Sequence, residues 1–205
     1  MELSFYITAF VTLFVVIDPI GLTPLFVALT KGMPRDRRNG VGYHALIIGA
    51  ILLTLFGLFG EAVLGFVGIS MPAFRIAGGI LLFLTALDML FERRTQRRQG
   101  QADAHPPDPS VFPLATPLIA GPGAIATMIL LTGETGGSFT AILLVHLVMF
   151  LVLGLTLALF LMAGLLEKLL GDVGGNVVTR LLGMLLAALS VQFVVDGILA
   201  LTQPL

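Results

Sequence analysis

The chain has 205 residues, 57% of them hydrophobic and only 11% charged, with a net charge of −1 and no cysteine. Soluble domains carry about 25% charged residues, so this is the composition of an integral membrane protein. It excludes a basic nucleic-acid-binding surface, disulfides and thiolate metal sites.

Taking ~20 residues per crossing, the apolar runs predict six transmembrane helices. The N-terminus, Met1-Glu2-Leu3, lacks the basic start of a cleaved leader and reads as the beginning of the first span. That span, 3–30, is interrupted at Asp18-Pro19. Proline removes a backbone donor and clashes with the preceding turn, at a cost of ~3 kcal/mol in a helix interior. Asp favours the N-cap and Pro the first helical position, so Asp18-Pro19 predicts a new half-helix starting inside the membrane. An acid at that depth is functional by default; the bland alternative is that Asp18 merely caps. The second span, 42–67, contains Glu61, which reads as an interfacial anchor before a ligand. The third, 73–91, opens with Arg75. Its Gly78 and Gly79 read first as close-packing residues and second as a hinge, and its Asp88 as an interfacial acid or part of a gate or proton path.

Residues 92–110 form a polar, Pro-rich linker carrying Arg93, Arg94, Arg97 and Arg98, and they divide two halves, 1–91 and 111–205. The fourth span, 111–132, is broken at Gly121-Pro122, again the start of a half-helix. Thr23, Thr116 and Thr127 flank the two breaks and suit carbonyls that the breaks release. The fifth, 139–168, holds a lone His146, better read as a helix–helix hydrogen bond than as a proton relay, and Glu167, a second interfacial anchor. The sixth, 178–201, contains Gly183, another packing or hinge glycine. Its Gln192 and Asp196, four residues apart on one face, form a gate, a proton path or an interfacial pair.

Ten of the 11 basic residues fall in the loops after spans one, three and five, leaving only Arg75 on the other side. The positive-inside rule then places those loops in the cytoplasm and both termini outside. The halves also echo each other. Pro19 matches Pro122, the run Glu61–Gly68 matches Glu167–Gly174, and Arg75-Ile76-Ala77-Gly78 matches Arg180-Leu181-Leu182-Gly183. The offsets of 103, 106 and 105 barely drift. Three spans per repeat is an odd number, so the second copy enters from the opposite side. The expected fold is an all-α, 3+3 inverted-topology repeat with helices 1 and 4 broken at mid-membrane, an arrangement that serves alternating access.

The two half-helix starts differ chemically. Each N-terminus presents free N–H groups and about half a positive charge. Asp18 occupies its own end and suits an ammonium, a proton or a cation. Gly121 leaves the N–H groups of Gly123 and Ala124 open to a carboxylate, with little side-chain bulk around them. Asp18, Pro19, Gly21 and Thr23 facing Gly121, Pro122, Gly123 and Ala124 therefore predict a site for a small neutral amino acid. The corresponding activity is secondary transport, with H⁺ or Na⁺ as possible coupling ions and no cofactor. Rivals are an exporter of another small metabolite, a passive channel and a membrane scaffold. No phosphate-binding loop, His-Glu-x-x-His or Gly-x-Ser-x-Gly motif occurs, and His44, His105 and His146 are scattered, so neither an enzyme nor a metal site is expected.

Three stretches together resemble the MarC family of six-span inner-membrane proteins. They are Gly68–Gly79, Pro113-Leu114-Ala115-Thr116-Pro117 with Ala120–Ala126, and Arg180–Met184 with Val191-Gln192-Phe193. That family includes transporters of glycine and alanine. The resemblance implies an inverted repeat with discontinuous first and fourth helices and a substrate region at 18–21 and 121–124. Members often carry Asn where this chain has Asp18 and Asp196; the acids add a charge or a titratable proton.

Overall fold

The computed structural model describes residues 2–91, 93 and 108–202, and over 164–173 and at 175 the backbone alone. The first span is two helices, α1 (Leu3–Ile17) and α2 (Pro19–Leu29), meeting at Asp18. α3 (Arg35–Val67) runs 33 residues, about 50 Å at 1.5 Å per residue. It starts seven residues before the predicted span because Arg35–Val41 continue a helix that hydropathy does not mark. α3 ends at Gly68, whose φ of 81° admits the left-handed cap, with Ile69 N–H donating to Leu64 O at 2.9 Å. Ser70 then caps α4 (Met71–Leu90), accepting from Ala73 N–H at 3.4 Å.

The second half begins with an irregular helical segment, α5 (Ser110–Ile119), followed by α6 (Pro122–Gly133), bent 52° from it. The break is longer than the single Gly121-Pro122 step predicted. Phe112, Thr116 and Pro117 all leave helical angles, and Leu114 and Ala120 donate to carbonyls five residues back. Pro113 and Pro117 account for this, since neither has an N–H to continue a regular ladder. α7 (Phe139–Leu161) and α8 (Ala163–Thr202) are separated only at Met162. The fifth span therefore stops at Leu161, short of the expected 168, and the helix of the sixth starts well before 178. The apolar span within α8 is Asn176–Thr202, within two residues of the expected 178–201, and the helix simply continues N-terminally beyond it.

Five helices are long and apolar enough to cross a membrane, or six if the bent α5–α6 pair counts as one span; no strand occurs among the described residues. The predicted linker lies outside the described residues except Arg93 and 108–110. The α1–α2 span is 61% buried, against 22–33% for the spans in α3, α4, α7 and α8, and α6 is buried along almost its whole length. The broken helices thus form the centre and the unbroken ones the shell. Phe66, Ile51, Phe59, Leu147, Leu151 and Leu181 are exposed on that shell, as lipid-facing side chains must be. The packing is reciprocal: α3 lies on α5 and α6, α7 on α1 and α2, α4 on α6, and α8 on α2.

α4 and α8 form the most extensive contact. A Cβ on Gly79 would stand 2.8 Å from the Ser190 carbonyl oxygen, one on Gly197 3.0 Å from that of Pro72, and one on Gly183 3.3 Å from that of Ala86. Pro72, Gly79 and Ala86 are spaced by seven, and so are Gly183, Ser190 and Gly197 running the other way. This is an antiparallel heptad seam of small residues, where van der Waals approach replaces the hydrophobic effect that lipid does not supply.

Candidate functional site

Asp18 ends α1 and starts α2 with φ 57° and ψ 63°, and it is the only non-glycine with positive φ among the described residues. Asp and Asn tolerate the left-handed region better than other side chains because they bond locally. Its N–H donates to Phe14 O at 2.9 Å, closing α1. Its Oδ1 accepts from Gly21 N–H at 3.1 Å, capping α2 as predicted. The residue is completely buried. Thr23 Oγ1 donates to Pro19 O at 2.8 Å in the first turn of α2.

Gly121 starts α6 with extended angles and no side chain to cap it. A Cβ there would collide with the Pro117 carbonyl oxygen, so the tight turn out of α5 requires glycine. Pro122 has no N–H, and helix geometry leaves those of Gly123 and Ala124 without an acceptor in α6. Gly121, Gly123 and Ala124 are buried while the Pro122 ring is exposed. Thr127 Oγ1 donates to Gly123 O at 2.8 Å, the counterpart of Thr23 in α2, and Thr116 Oγ1 to Val111 O at 3.3 Å.

The two breaks meet. The Cβ position of Gly123 lies 3.2 Å from Val16 Cγ1, two residues before Asp18, and 3.4 Å from Leu82 Cδ2. Thr85 Oγ1 stands 3.7 Å from the same point and donates to Leu81 O at 3.0 Å. A bare helix N-terminus and a buried, helix-capping carboxylate are thus carried by neighbouring backbone turns, with α4 alongside. Sequence reasoning missed Thr85; a threonine in an apolar span carries no signal of which helix it faces.

Comparison with known proteins places the chain among integral membrane proteins. The model of the MarC family integral membrane proteins matches residues 3–202. The chain belongs to the MarC family. It is 37% identical over 204 residues to a UPF0056 membrane protein of Methanocaldococcus jannaschii, covering 97% of this chain and 98% of that one. It is 33% identical to the UPF0056 membrane protein YvbG of Bacillus subtilis, covering 97% and 96%. A UPF0056 membrane protein of Archaeoglobus fulgidus is 36% identical over 96% and 93%. No solved structure matches the chain.

In this MarC protein the remaining predicted residues fall into separate places. Gly79 and Gly183 lie in the α4–α8 seam, and Gly78 faces α6, its Cβ position 3.0 Å from Leu130 Cδ1. Gln192 Nε2 donates to Asp196 Oδ1 at 2.7 Å. Asp88 lies towards the opposite end of α4, where the seam register sets it level with Arg180. His146 makes no helix–helix bond: its Nδ1 lies 2.8 Å from Ile142 O of its own helix, and its Nε2 is buried without a partner. Glu61 is exposed, and the Glu167 side chain lies outside the described residues.

Each end of the MarC core carries a charged group. At one, Phe26 stacks on Phe160 with centroids 4.3 Å apart, and the Arg38 guanidinium sits 5.4 Å over the Phe26 ring. Asp108, nearby, accepts from Ser110 Oγ at 2.6 Å and Ser110 N–H at 2.9 Å. Those bonds hold its carboxyl below the usual value, helped by the charges of His44 and Arg37. At the other end Arg75 Nη2 pairs with Glu134 Oε1 at 3.1 Å. Sequence reasoning overlooked Glu134, which follows directly on the apolar run of α6 and reads as a loop residue. No group of His, Asp and Glu suited to a metal ion occurs among the described residues.

Proposed function

We propose that the chain is a secondary transporter of small neutral amino acids of the glycine and alanine class, working by alternating access. The observation that carries this reading is the junction of the two breaks, where Gly123 packs on Val16 beside the buried Asp18. Asp18 would take the substrate ammonium or a coupling H⁺ or Na⁺, and the Gly123 and Ala124 N–H groups the carboxylate. The contacts around Gly123, all within 3.7 Å of its Cβ position, favour a substrate with little or no side chain. In this reading the halves form an inverted repeat, supported by the reciprocal packing of α3 with α6 and α7 with α1. The seam-bound α4–α8 pair moves as one body against the central half-helices. The basic ends of α3 and α4 face the cytoplasm and both termini face out.

Ligand binding tests the site without assuming a transport direction. Glycine and alanine should each raise the thermal stability of the purified protein in a saturable way, whereas leucine should not. No shift with any small amino acid would sink the reading and favour a different small metabolite or a passive pore. Single-channel currents would select the pore.

A further inference from the structure

The ion pair at the far end of α6 joins more than two residues. Arg75 is the fifth residue of α4, and Glu134 caps the C-terminus of α6. Gly197 of α8 packs on Pro72 and Ile76, its Cβ position 2.7 Å from Ile76 Cγ1, which sets Asp196 level with Arg75. One guanidinium and two carboxylates thus gather at this end, with Arg75 paired to Glu134 and Asp196 close enough to act on Glu134 through its charge, and the three together carry one negative charge in excess at the edge of an apolar core. Uptake of a single proton neutralises it. Arg75 is not fully used: its side chain is 19% exposed, and its Nε is buried without a hydrogen-bond partner. Asp196, held by Gln192 through Oδ1, keeps Oδ2 for a second donor.

We propose that Glu134 is a proton-binding site whose occupancy makes and breaks the tie between α4 and α6, Asp196 taking over Arg75 when Glu134 is protonated. The proton comes from the solution at this end of the bundle and adds to the Glu134 carboxylate. The Arg75–Glu134 pair loses its Coulombic attraction, and Arg75 stays cationic. Two groups act on Glu134 besides its own burial: Arg75 of α4, which favours the ionised form, and Asp196 of α8, which opposes it. Burial is the larger influence and pushes the Glu134 carboxyl above its ordinary value. Among the described residues, the other helices packed on α6 bring to this end the exposed Glu61 near the end of α3, the exposed Glu2 before α1 and the half-buried Tyr6 in its first turn. His146 of α7 faces Gly57 and the Met128 side chain, deeper in the bundle. The tie closes over the end of α6, where Met71 Sδ lies 3.2 Å from the Cβ position of Gly133. As the seat of a coupling proton this inference rests on the transport reading; as a proton-operated latch it does not.

The chain has no tryptophan, so Phe74→Trp places a single reporter beside Arg75. Its emission would be followed in proteoliposomes from about pH 8 to about pH 4, with glycine counterflow measured in the same vesicles. A one-proton transition is expected, with a midpoint above the ordinary glutamate value. In Glu134→Gln the transition is lost and the emission at neutral pH matches that of the acid form. In Asp196→Asn the midpoint falls, because the opposing charge is gone, and in Arg75→Gln it rises. A flat titration of the parent, a transition that survives Glu134→Gln, or midpoints indifferent to both Asp196→Asn and Arg75→Gln would overturn the latch. The two midpoint variants keep the question open to refutation should Glu134→Gln fail to fold. A titrating latch without glycine counterflow would uphold the proton site and sink the substrate reading.

Discussion

Asp18 meets two demands that few residues satisfy together. Its backbone is left-handed at φ 57°, and its side chain caps α2 through Gly21 N–H. Asn meets both, Gly only the first, and Ala neither. Removing the cap costs about 0.5–2 kcal/mol when Ala replaces it and only a few tenths for Gly. A left-handed alanine costs roughly a further 1–2 kcal/mol. Thermal unfolding in detergent should therefore rank Asp18→Asn near the native protein, Asp18→Gly below it and Asp18→Ala lowest. An alanine variant as stable as the glycine one would contradict the geometry. The capping role was legible from the Asp-Pro order. The left-handed turn was not, because it depends on the direction in which α1 leaves, and that is fixed by packing. Gly121 is constrained more simply: any side chain meets the Pro117 carbonyl oxygen, which is backbone and cannot rotate away.

Among the elements, the glycines separate by what they face. Gly79 and Gly197 would each drive a Cβ into facing backbone across the α4–α8 seam, whereas Gly154 of α7 has nothing within 4 Å. Gly79→Ala and Gly197→Ala should each destabilise the bundle by about 1–3 kcal/mol. Gly154→Ala should be neutral or stabilising by about 0.5–1 kcal/mol, since alanine loses less chain entropy in a helix interior. Denaturant titration of the three variants checks this, and equal losses at all three would remove the seam from the account. Composition and hydropathy were enough to find the spans and both breaks. They place the spans of α3 and α8 but not the polar N-terminal turns that extend both helices, and they carry α7 past its end at Leu161. They also compress the α5–α6 break to one step, because hydropathy does not register the interruptions at Pro113 and Pro117 ahead of Gly121-Pro122. The seam was half legible: Gly79 and Gly183 were recognised as packing residues, but pairing them needs the antiparallel register.

Over the whole molecule, Asp108 and Glu134 lie at opposite ends, and the two carboxyls act in opposite senses. Asp108 is held below its ordinary value by Ser110. It contributes stability above the unfolded carboxyl value and loses it as pH falls through the lower folded one. Glu134 is held above its ordinary value by burial. Its contribution is present in acid and is lost as pH rises through the folded value. Ser110→Ala should therefore remove stability at neutral pH but not at the acid extreme, and Glu134→Gln should flatten the pH dependence above the ordinary glutamate range. Unfolding midpoints measured against pH decide both. The end cluster containing Glu134 was illegible in the sequence, where Arg75 stood out only as a lone basic residue on its side. Residues 75, 134 and 196 are brought together by three helices, and no spacing rule connects them.

The central claim is that the two breaks form one amino-acid site with Asp18 at its cationic side. Counterflow of glycine and alanine into proteoliposomes, comparing the native protein with Asp18→Asn at neutral and acid pH, tests it most directly. The variant keeps the cap and the left-handed turn, so a change reports the charge. The account predicts saturable exchange by the native protein that Asp18→Asn loses or strips of its pH dependence. Native exchange that survives unaltered in Asp18→Asn at both pH values would reduce Asp18 to a helix cap, and no exchange by the native protein would contradict the claim outright.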